Sequence, residues 1–482
     1  MNRDRPRGLR AFFAPRGVAV IGASHSPTKV GHAVLRNLRF GGGEFAPDIG
    51  RGFPGPIIPV NPKGGELLGL DVVTRVSKIE GPIDLAVFCV PAGKVPQALD
   101  AAARRGILAA VVLAAGTADM GVAGRRLEEQ LRGVARNTGA RVLGPNCTGL
   151  FTRLESPGLL SASFFGTVPP EGPIALIAQS GAIAQAIVNS ARDHGLGLRH
   201  VVSLGDKVDV QDEELLRHVV RDPEVRVVGL HVESLEDPRG FHAAARQVSA
   251  VKPLVVLHGG HTSAGMRATQ GHEGLFGLRD ASLDGALRQP GLHVVQTLSE
   301  FNAALLALST QPPARGKRVA IVTNGGGTAV LAADAVSRAG LDVVPFRQAT
   351  VERLRELLGQ ARASRNPIDL RGDADAARIE QALEIASTAD EVDALLLVLT
   401  AQATTEPGAL AARLGPWRKR ADKPLLVASV GFAQERLLAR DGIPEFAYPE
   451  TAAAGLAALV ARGAFERRTV QVRAAEEEAP KW

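Results

Sequence analysis

Cysteine is nearly absent: 482 residues contain only Cys89 and Cys147. Two thiols cannot make a disulfide framework or a Cys-rich metal site. No His-Glu-x-x-His or comparable ligand spacing occurs, so no metal site is expected on this chain. Aromatic residues are only 4% of the chain. Its cores must therefore be built from Ala, Val, Leu and Ile, a mix that suits parallel sheets covered by helices. Met1 to Arg10 is charged and lacks an apolar stretch, which excludes a secretory signal there. The longest apolar runs, such as Ala394–Leu399, are too short to span a bilayer. A cytoplasmic chain with no membrane partner is expected.

Acidic residues are the minority, 50 Asp and Glu against 56 Lys and Arg, for a net charge of +6. The isoelectric point is about 9.6. The Arg are scattered singly or in pairs, such as Arg104–Arg105 and Arg125–Arg126, with no dense stripe and no interleaved aromatics. That pattern argues against nucleic acid as a partner. A solvated, Arg-preferring surface accounts for most of it, and the remainder suits an anionic ligand.

Apolar residues at 45% allow large cores, and 22% charged residues argue against disorder. At roughly 100–200 residues per domain, the length suggests about three. Short β-type runs alternate with Ala/Leu-rich helical stretches, the βαβ pattern of α/β folds. A first domain is expected over 1–150, with strands at Val18–Ile21, Ile57–Val60, Leu85–Val90, Ala109–Leu113 and Arg141–Leu143. The Pro/Gly/Ser-rich passage Ser156 to Pro173 reads as a linker. A second domain is expected over 151–310, with strands at Ile174–Ala178, Arg199–Ser203, Val225–Val232, Leu254–His258 and Leu292–Val295. A third is expected over 316–470, with strands at Val319–Thr323, Leu341–Val344, Ala394–Leu399 and Leu425–Ser429, and then an acidic, frayed tail over 471–482.

The first strand runs into Val20-Ile-Gly-Ala-Ser-His-Ser-Pro-Thr-Lys-Val-Gly31 and then a helix. A Gly-rich loop feeding a helix N-terminus offers backbone N–H groups and a favourable dipole to an anion. Dinucleotide binding would want G-x-G-x-x-G, with an acidic residue after the second strand for the ribose. The spacing here differs, and the second strand ends in Pro59-Val-Asn-Pro-Lys63, where Lys63 offers a cation to phosphate. A nicotinamide-dependent oxidoreductase is therefore disfavoured. Thr323-Asn-Gly-Gly-Gly-Thr328 opens the third domain in similar style but lacks a P-loop Lys, which favours a docking scaffold over a nucleotide site.

These stretches resemble the CoA-binding domain of succinyl-CoA synthetase α subunits and of ADP-forming acetyl-CoA synthetases. The resemblance rests on Gly22-Ala23-Ser24 with Lys29 and Gly31, Asn61-Pro62-Lys63, Val90-Pro91, Ala115-Gly116 and Gly144-Pro-Asn146-Cys147. It extends through Gln179-Ser180-Gly181, Val202-Ser-Leu-Gly-Asp-Lys207, His231-Val-Glu233 and Gly265-Met-Arg-Ala-Thr-Gln-Gly271-His272-Glu-Gly274. Asn366-Pro-Ile-Asp369 matches a stretch of the third domain found in the acetyl-CoA synthetase branch. The resemblance covers about Phe13 to Ala461. It implies an α/β chain: a Rossmann-like CoA-binding domain followed by two flavodoxin-like, doubly wound parallel-sheet domains.

The resemblance also implies roles. The CoA site is expected at Gly22, Ala23, Ser24, Lys29, Asn61, Pro62, Lys63, Val90, Pro91, Ala115, Gly116, Asn146 and Cys147. His272 falls on the phosphorylated histidine of a mobile loop, and Glu233 on the acid that positions it. Ser180, Gly181, Gly271 and Gly274 would hold phosphate, and Gln185 falls near the substrate phosphate. The chemistry is coherent: imidazole is a neutral nucleophile at pH 7 and afterwards a leaving group, and a carboxylate on its other nitrogen fixes the tautomer. His258 and His261, flanking a Gly-Gly turn, are expected to be structural. Where the family's acetyl-CoA synthetases carry Thr-Gly-Ser after the histidine, this chain has Glu273-Gly-Leu275. No ATP-grasp segment is read in the chain. ATP or ADP with Mg²⁺ is thus expected on a separate ATP-grasp β subunit, in an αβ hetero-oligomer acting on a small carboxylic acid and coenzyme A. The competing expectation is a non-catalytic acyl-CoA-binding regulatory module.

Overall fold

The computed structural model describes residues 8–42, 52–114, 121–155, 158–273, 281–359, 365–402, 406–432 and 437–478. The chain forms two compact units. The first comprises Met1–Arg192, Gly197–Val248 and Val256–Gln289, and the second Asp193–Leu196, Ser249–Val255 and Pro290–Trp482.

In the first unit, a five-stranded parallel sheet has the order Ile57–Val60, Val18–Ile21, Leu85–Phe88, Ala109–Val112, Arg141–Leu143. Three of these strands, Val18–Ile21, Leu85–Phe88 and Ala109–Val112, are buried at every position, which is why they read as continuous apolar runs. The strand order reverses between Val18–Ile21 and Leu85–Phe88. Ligands of open α/β sheets bind at the carboxyl ends on either side of such a reversal. Gly22 and Cys89–Val90 occupy that place.

The second sheet of this unit is mixed. Val227–His231, Ile174–Ala178 and Leu198–Ser203 run parallel. Gly149–Arg153 then pairs antiparallel with Leu198–Ser203, and Leu159–Ser163 pairs antiparallel with Gly149–Arg153. The stretch expected as a linker from Ser156 thus contains a fully buried strand. Its small residues, Ser161, Ala162 and Ser163, suit a covered strand beside the helix Val30–Phe40, whose Asn37 amide donates to the carbonyls of Ser163 and Phe165 at 3.0 and 2.9 Å.

The two sheets are joined by charge as well. Arg141 donates to Asp209 at 2.8 Å and to Glu214 at 2.8 Å, and Asp209 also accepts the Val142 N–H at 2.8 Å. At the opposite, amino end of the strands, Phe13 stacks on His218 with centroids 4.2 Å apart and meets His200 edge-on at 5.3 Å. His200 bonds Thr152 at 2.6 Å and Asp222 at 2.9 Å, and Arg199 donates to Asp222 at 2.9 Å.

The second unit carries a parallel sheet in the order Asp342–Val343, Arg318–Thr323, Ala394–Thr400, Leu425–Val430, Glu445–Phe446, with Ile368–Asp369 also pairing with Arg318–Thr323. Two asparagines fasten it. Asn324 accepts the Thr400 N–H at 2.7 Å and donates to the Thr400 carbonyl at 2.9 Å. Asn366 accepts the Ile321 N–H at 2.9 Å and donates to the carbonyls of Val319 and Val344 at 2.7 and 2.9 Å. Trp417 is fully buried, with its indole N–H on Glu384 at 2.8 Å. The last helix, Pro449–Glu478, continues into the acidic segment that was expected to fray. Among the described residues no helix is long and apolar enough to cross a membrane.

Burial first, and then the neighbouring His200 and Arg221, lower the His218 pKa to about 4 against the favourable charge of Asp222. The unfolded chain binds a proton there below about pH 6.5 while the folded chain does not. Stability should therefore fall as pH drops from about 6.5 toward 4, with the unfolded state the one that takes up protons. Melting scans across that range should show the decline, and His218→Phe should reduce its slope without abolishing it, because His231 is held neutral in the same way.

Candidate active site

The first strand leaves its sheet through Gly22, whose φ of +92° suits glycine and whose missing Cβ would strike the Cys89 backbone at 2.9 Å. Gly31, in the first turn of the helix Val30–Phe40, packs directly against the Gly22 carbonyl, where no side chain fits. These contacts explain both ends of the Gly22-to-Gly31 loop. Ala23 is buried, and its carbonyl accepts from Asn61 at 2.6 Å. Asn61 in turn accepts the Lys63 N–H at 2.9 Å. The loop after the first strand and the loop after the second are thereby locked together. Lys29 and Lys63 are exposed beside them, and Ser24 presents its carbonyl to His32 at 2.9 Å. Pro62 and Pro91 are exposed and Val90 is half-buried. Ala115 and Gly116 lie outside the described residues.

Asn146 is exposed in a left-handed conformation, φ +57°, and donates to Asp206 at 3.2 Å. Cys147 is buried, donates to the Val112 carbonyl at 3.3 Å, and its thiol is pushed up to about 12, chiefly by burial. It is therefore an inert thiol that shapes its loop through packing.

The second sheet brings its own elements to this end. Ile174–Ala178 ends at Gln179, and Ser180 caps the helix Gly181–Ser190 by accepting the Ile183 N–H at 3.3 Å. The open N–H groups and dipole of that helix form an anion-binding end. Gly181 sits against Thr148, where a Cβ would meet the threonine methyl at 2.8 Å, and the Thr148 hydroxyl is buried with no hydrogen-bond partner among the described residues. Gln185 is one turn further on and donates to Asn189 at 2.7 Å.

Beneath the helix end lies a buried polar cluster. Gln179 accepts the N–H groups of Glu233 and Ser234 at 2.7 and 2.9 Å. Its amide donates to Asp212 at 2.9 and 3.0 Å and to the Ser234 carbonyl at 2.8 Å. Lys207, only 4% exposed, donates to Asp212 at 3.1 Å and to the same carbonyl at 2.7 Å. This cluster sets the turn that carries Glu233. The sequence reading gave no role to Gln179, Lys207, Asp212 or Thr148. Polar residues flanking apolar strands were the signal that could have found them.

The Glu233 carboxylate is 3.9 Å from His231 Nε2. His231 is buried, its pKa is lowered to about 4 by burial and by His258, and its Nδ1 has no partner among the described residues. The contact is therefore not an ion pair at neutral pH. His258 and His261 bond backbone carbonyls and pack edge to face at 4.9 Å, as structural residues do. The expected phosphohistidine loop begins as a helix, Ser263–Glu273, started by Thr262, which accepts the N–H of Gly265 at 3.0 Å. His272 and Gly271 lie on its last turn, with the His272 side chain outside the described part, and Gly274 lies outside the described residues. A loop histidine is thus replaced by a helical one, because capping at Thr262 and the run Ala264 to Gln270 favour a helix.

The two halves of this end of the unit are sewn together by backbone. Asp206 N–H donates to the Pro145 carbonyl at 2.9 Å, Val208 N–H to Gly144 at 3.2 Å, and Thr148 N–H to Ser203 Oγ at 3.1 Å. Residues 16–153 match a CoA binding domain, and residues 171–308 match a succinyl-CoA ligase-like flavodoxin domain. The α subunit of acetate–CoA ligase (ADP-forming) I from Pyrococcus furiosus is 34% identical over 94% of this chain and 97% of its own length.

The chain belongs to the family of ADP-forming acetate–CoA ligase α subunits.

Other members frame that assignment. Acetate–CoA ligase (ADP-forming) I of Archaeoglobus fulgidus is 33% identical over 94% of this chain, which spans 63% of that longer ligase. The solved structure of dinucleotide-forming acetyl-coenzyme A synthetase 1 from Candidatus Korarchaeum cryptofilum, in complex with phosphate and ADP, has a TM-score of 0.84 at 29% identity. It covers 96% of this chain and 99% of its own. The present chain is α/β, with Rossmann-like and flavodoxin-like domains built on parallel strands, the second sheet adding two antiparallel ones.

Removing Lys207 while leaving Asp212 in place strands a buried carboxylate. Lys207→Met should cost about 3–5 kcal/mol of unfolding free energy. Urea unfolding followed by circular dichroism measures it, and a Lys207→Met/Asp212→Asn pair should recover part of the loss.

Proposed function

We propose that this chain is the CoA-binding, phosphoryl-carrying half of an acyl-CoA ligase that joins a carboxylic acid to coenzyme A with ATP, releasing ADP and phosphate. The observation that carries the proposal is that one compact unit holds both the Gly22/Asn61 loops and the Ser180 helix end with Glu233, all at the carboxyl ends of their strands, and that backbone bonds from Asp206 to Pro145 and Val208 to Gly144 join the two sheets at such ends. A thioester and a phosphate need to be held side by side for this reaction, and family membership supplies the remaining support.

In the acyl-CoA-consuming direction, a phosphate oxygen attacks the thioester carbonyl. The C–S bond breaks, and the CoA sulfur leaves as a thiolate that takes up a proton. The product is an acyl phosphate. A ring nitrogen of His272 then attacks its phosphorus, and the bond from phosphorus to the acyl oxygen breaks to release the carboxylate. Phosphohistidine passes the phosphoryl group to an ADP oxygen, and the neutral imidazole returns. The open N–H groups at Ser180–Gly181 stabilise the charge on the transferring group, with the Thr148 hydroxyl beside them. Glu233 orients the His272 ring and steadies its positive charge in the intermediate. Gln185 lies along the same helix toward the substrate phosphate. Lys29 and Lys63 meet the phosphates of CoA, with Gly22, Ala23, Ser24, Asn61, Pro62, Val90, Pro91, Ala115, Gly116, Asn146 and Cys147 shaping the rest of that site.

In this proposal ADP or ATP, with Mg²⁺, binds on a separate ATP-grasp β subunit. The α-subunit naming of the Pyrococcus relative and the greater length of the Archaeoglobus one support that division. Among the described residues no group of three or more His, Cys, Asp and Glu could hold a metal ion, so no step here is routed through one on this chain.

Incubating the full chain with acetyl phosphate, and separately with acetyl-CoA plus phosphate, should give a phosphate-mass adduct by intact mass spectrometry. The adduct should be acid-labile, base-stable and absent from His272→Ala. CoA binding without any adduct, even with an ATP-grasp partner present, would favour the non-catalytic acyl-CoA-binding module instead. Independently, Lys63→Ala should weaken CoA about tenfold, ~1.4 kcal/mol, in calorimetric titrations. The deficit should shrink as salt rises, because an exposed charge pair is screened.

A further inference from the structure

Two loops of the first unit meet in an uncommon backbone conformation. Among the described residues four non-glycine residues have a positive φ, and two of them, Asn146 at +57° and Lys207 at +50°, stand on loops bonded to each other. Asparagine tolerates that region, whereas a lysine is uncommon there. The backbone around Lys207 is held on both sides. The N–H groups of Asp206 and Val208 donate to the carbonyls of Pro145 and Gly144 at 2.9 and 3.2 Å, and the Lys207 carbonyl accepts from the Gln211 amide at 2.9 Å. Leu204 and Gly205 donate to the carbonyls of Ala178 and Gln179 at 2.8 and 3.2 Å. The base of the lysine side chain is therefore fixed against the loop 144–146.

The tip of that side chain reaches a different place. Lys207 is 4% exposed, and its ammonium donates to Asp212 at 3.1 Å and to the Ser234 carbonyl at 2.7 Å. Ser234 directly follows Glu233, and the N–H groups of both are held by Gln179 at 2.7 and 2.9 Å. Gln179 fastens this turn to the end of the strand Ile174–Ala178, and Lys207 adds a tie from the same turn to the loop 144–146. Glycine adopts a φ of +50° more readily than lysine does. A residue kept there against that preference points to a task for its side chain. Here the side chain spans two loops, with Asp212 neutralising its charge inside the fold.

We propose that Lys207 is a positioning residue for phosphoryl transfer, one that sets the Glu233 turn at a fixed place relative to the loop 144–146. The inference rests on the roles read above for His272 and Glu233. Lys207 touches no reacting atom in this scheme and acts through the turn it holds. The backbone bonds from Asp206 and Val208 do not involve its side chain. Its replacement therefore leaves the loop 144–146 in place and loosens the Glu233 side alone. The signature is a split, in which phosphoryl transfer falls while CoA binding holds. A residue that served stability alone would change neither in a variant that stays folded. Lys207→Gly suits the local backbone and leaves room for a butylammonium ion, which is the missing part of the side chain.

The test follows the phosphate adduct of the full chain with acetyl phosphate by intact mass spectrometry, and CoA binding by calorimetric titration. In Lys207→Gly, and in the pair Lys207→Met/Asp212→Asn, the rate constant at saturating acetyl phosphate should fall at least about tenfold, while the CoA dissociation constant stays within about twofold of the wild type. Butylammonium should restore the rate of Lys207→Gly in a saturable manner, and butanol should not. The charge-neutral pair strands no carboxylate and decides the matter if Lys207→Gly does not fold. No adduct from the wild type, even with an ATP-grasp partner present, overturns the phosphohistidine reading and this inference with it. With the adduct formed by the wild type, three results overturn the role of Lys207 alone. These are a wild-type rate in the folded pair, CoA binding lost in step with the rate, and a folded Lys207→Gly that butylammonium restores no better than butanol.

Discussion

The candidate active site rests on one buried ion pair, Lys207 with Asp212, and on the Gln179 amide that joins it. Asp212 is 1% exposed and Lys207 4%, so neither can turn to water. Such a pair gains from association only when its remaining donors and acceptors are filled. They are filled here by the Gln179 amide and the Ser234 carbonyl. Gln179 completes the arrangement by accepting from the backbone of Glu233 and Ser234. The position of the Glu233 turn, and of the Ser180 helix end that follows Gln179 directly, is therefore fixed by one closed polar cluster. A half-filled cluster would be worse than an apolar core, which is why its members act as a set.

A second constraint converts two sheets into one site. The segment after Ser203 runs beside the segment after Leu143, bonded at Pro145 and Gly144. Arg141 with Asp209 and Glu214 continues that contact toward the amino side. Gly205 shows how close the approach is. It has φ +62°, and a side chain there would run into the Pro145 and Asn146 backbone. The Gly22 and Asn61 loops and the Ser180 helix end lie in segments that match different domain families, 16–153 and 171–308. Backbone bonds, rather than side-chain complementarity alone, hold the two in register.

Much of this was legible in the sequence. Strands such as Val18–Ile21, Ile57–Val60 and Ile174–Ala178 are apolar on both faces, so a short run is enough to mark them. The glycines at 22 and 31 marked a Gly-rich loop between a strand and a helix, and that loop joins Val18–Ile21 to Val30–Phe40. The antiparallel strand Leu159–Ser163 was hidden because Ser and Ala fill it, and small polar residues carry no period that separates a covered strand from a linker. The helix at Ser263–Glu273 was hidden by its glycines, which mark a loop by propensity but were overridden by the cap at Thr262. Gln179, Lys207 and Asp212 stand up to 33 positions apart, and no local pattern signals that they meet. The asparagines 324 and 366 sat in recognisable motifs, yet their part, fastening strand ends, appears only when partners 76 and 45 positions away come into view.

Buried polar groups in this chain fall into two kinds, and the difference separates scaffold from opportunity. Gln179, Asp212, Asn324 and Asn366 are hydrogen-bonded within the fold, and their bonds fix its geometry. Thr148 Oγ1, His231 Nδ1 and Asn302 Oδ1 are buried without partners among the described residues. A native fold keeps few such atoms, because each gives up stability that an apolar residue of the same size would retain. Two of the three lie beside the Ser180 helix end and the Glu233 turn, so unfilled hydrogen-bonding capacity gathers at the carboxyl ends of these strands. The third, on the buried helix Leu298–Thr310, belongs to the second unit. Filled clusters fix geometry, and the unfilled atoms mark the places where a polar side chain is kept at a cost in stability.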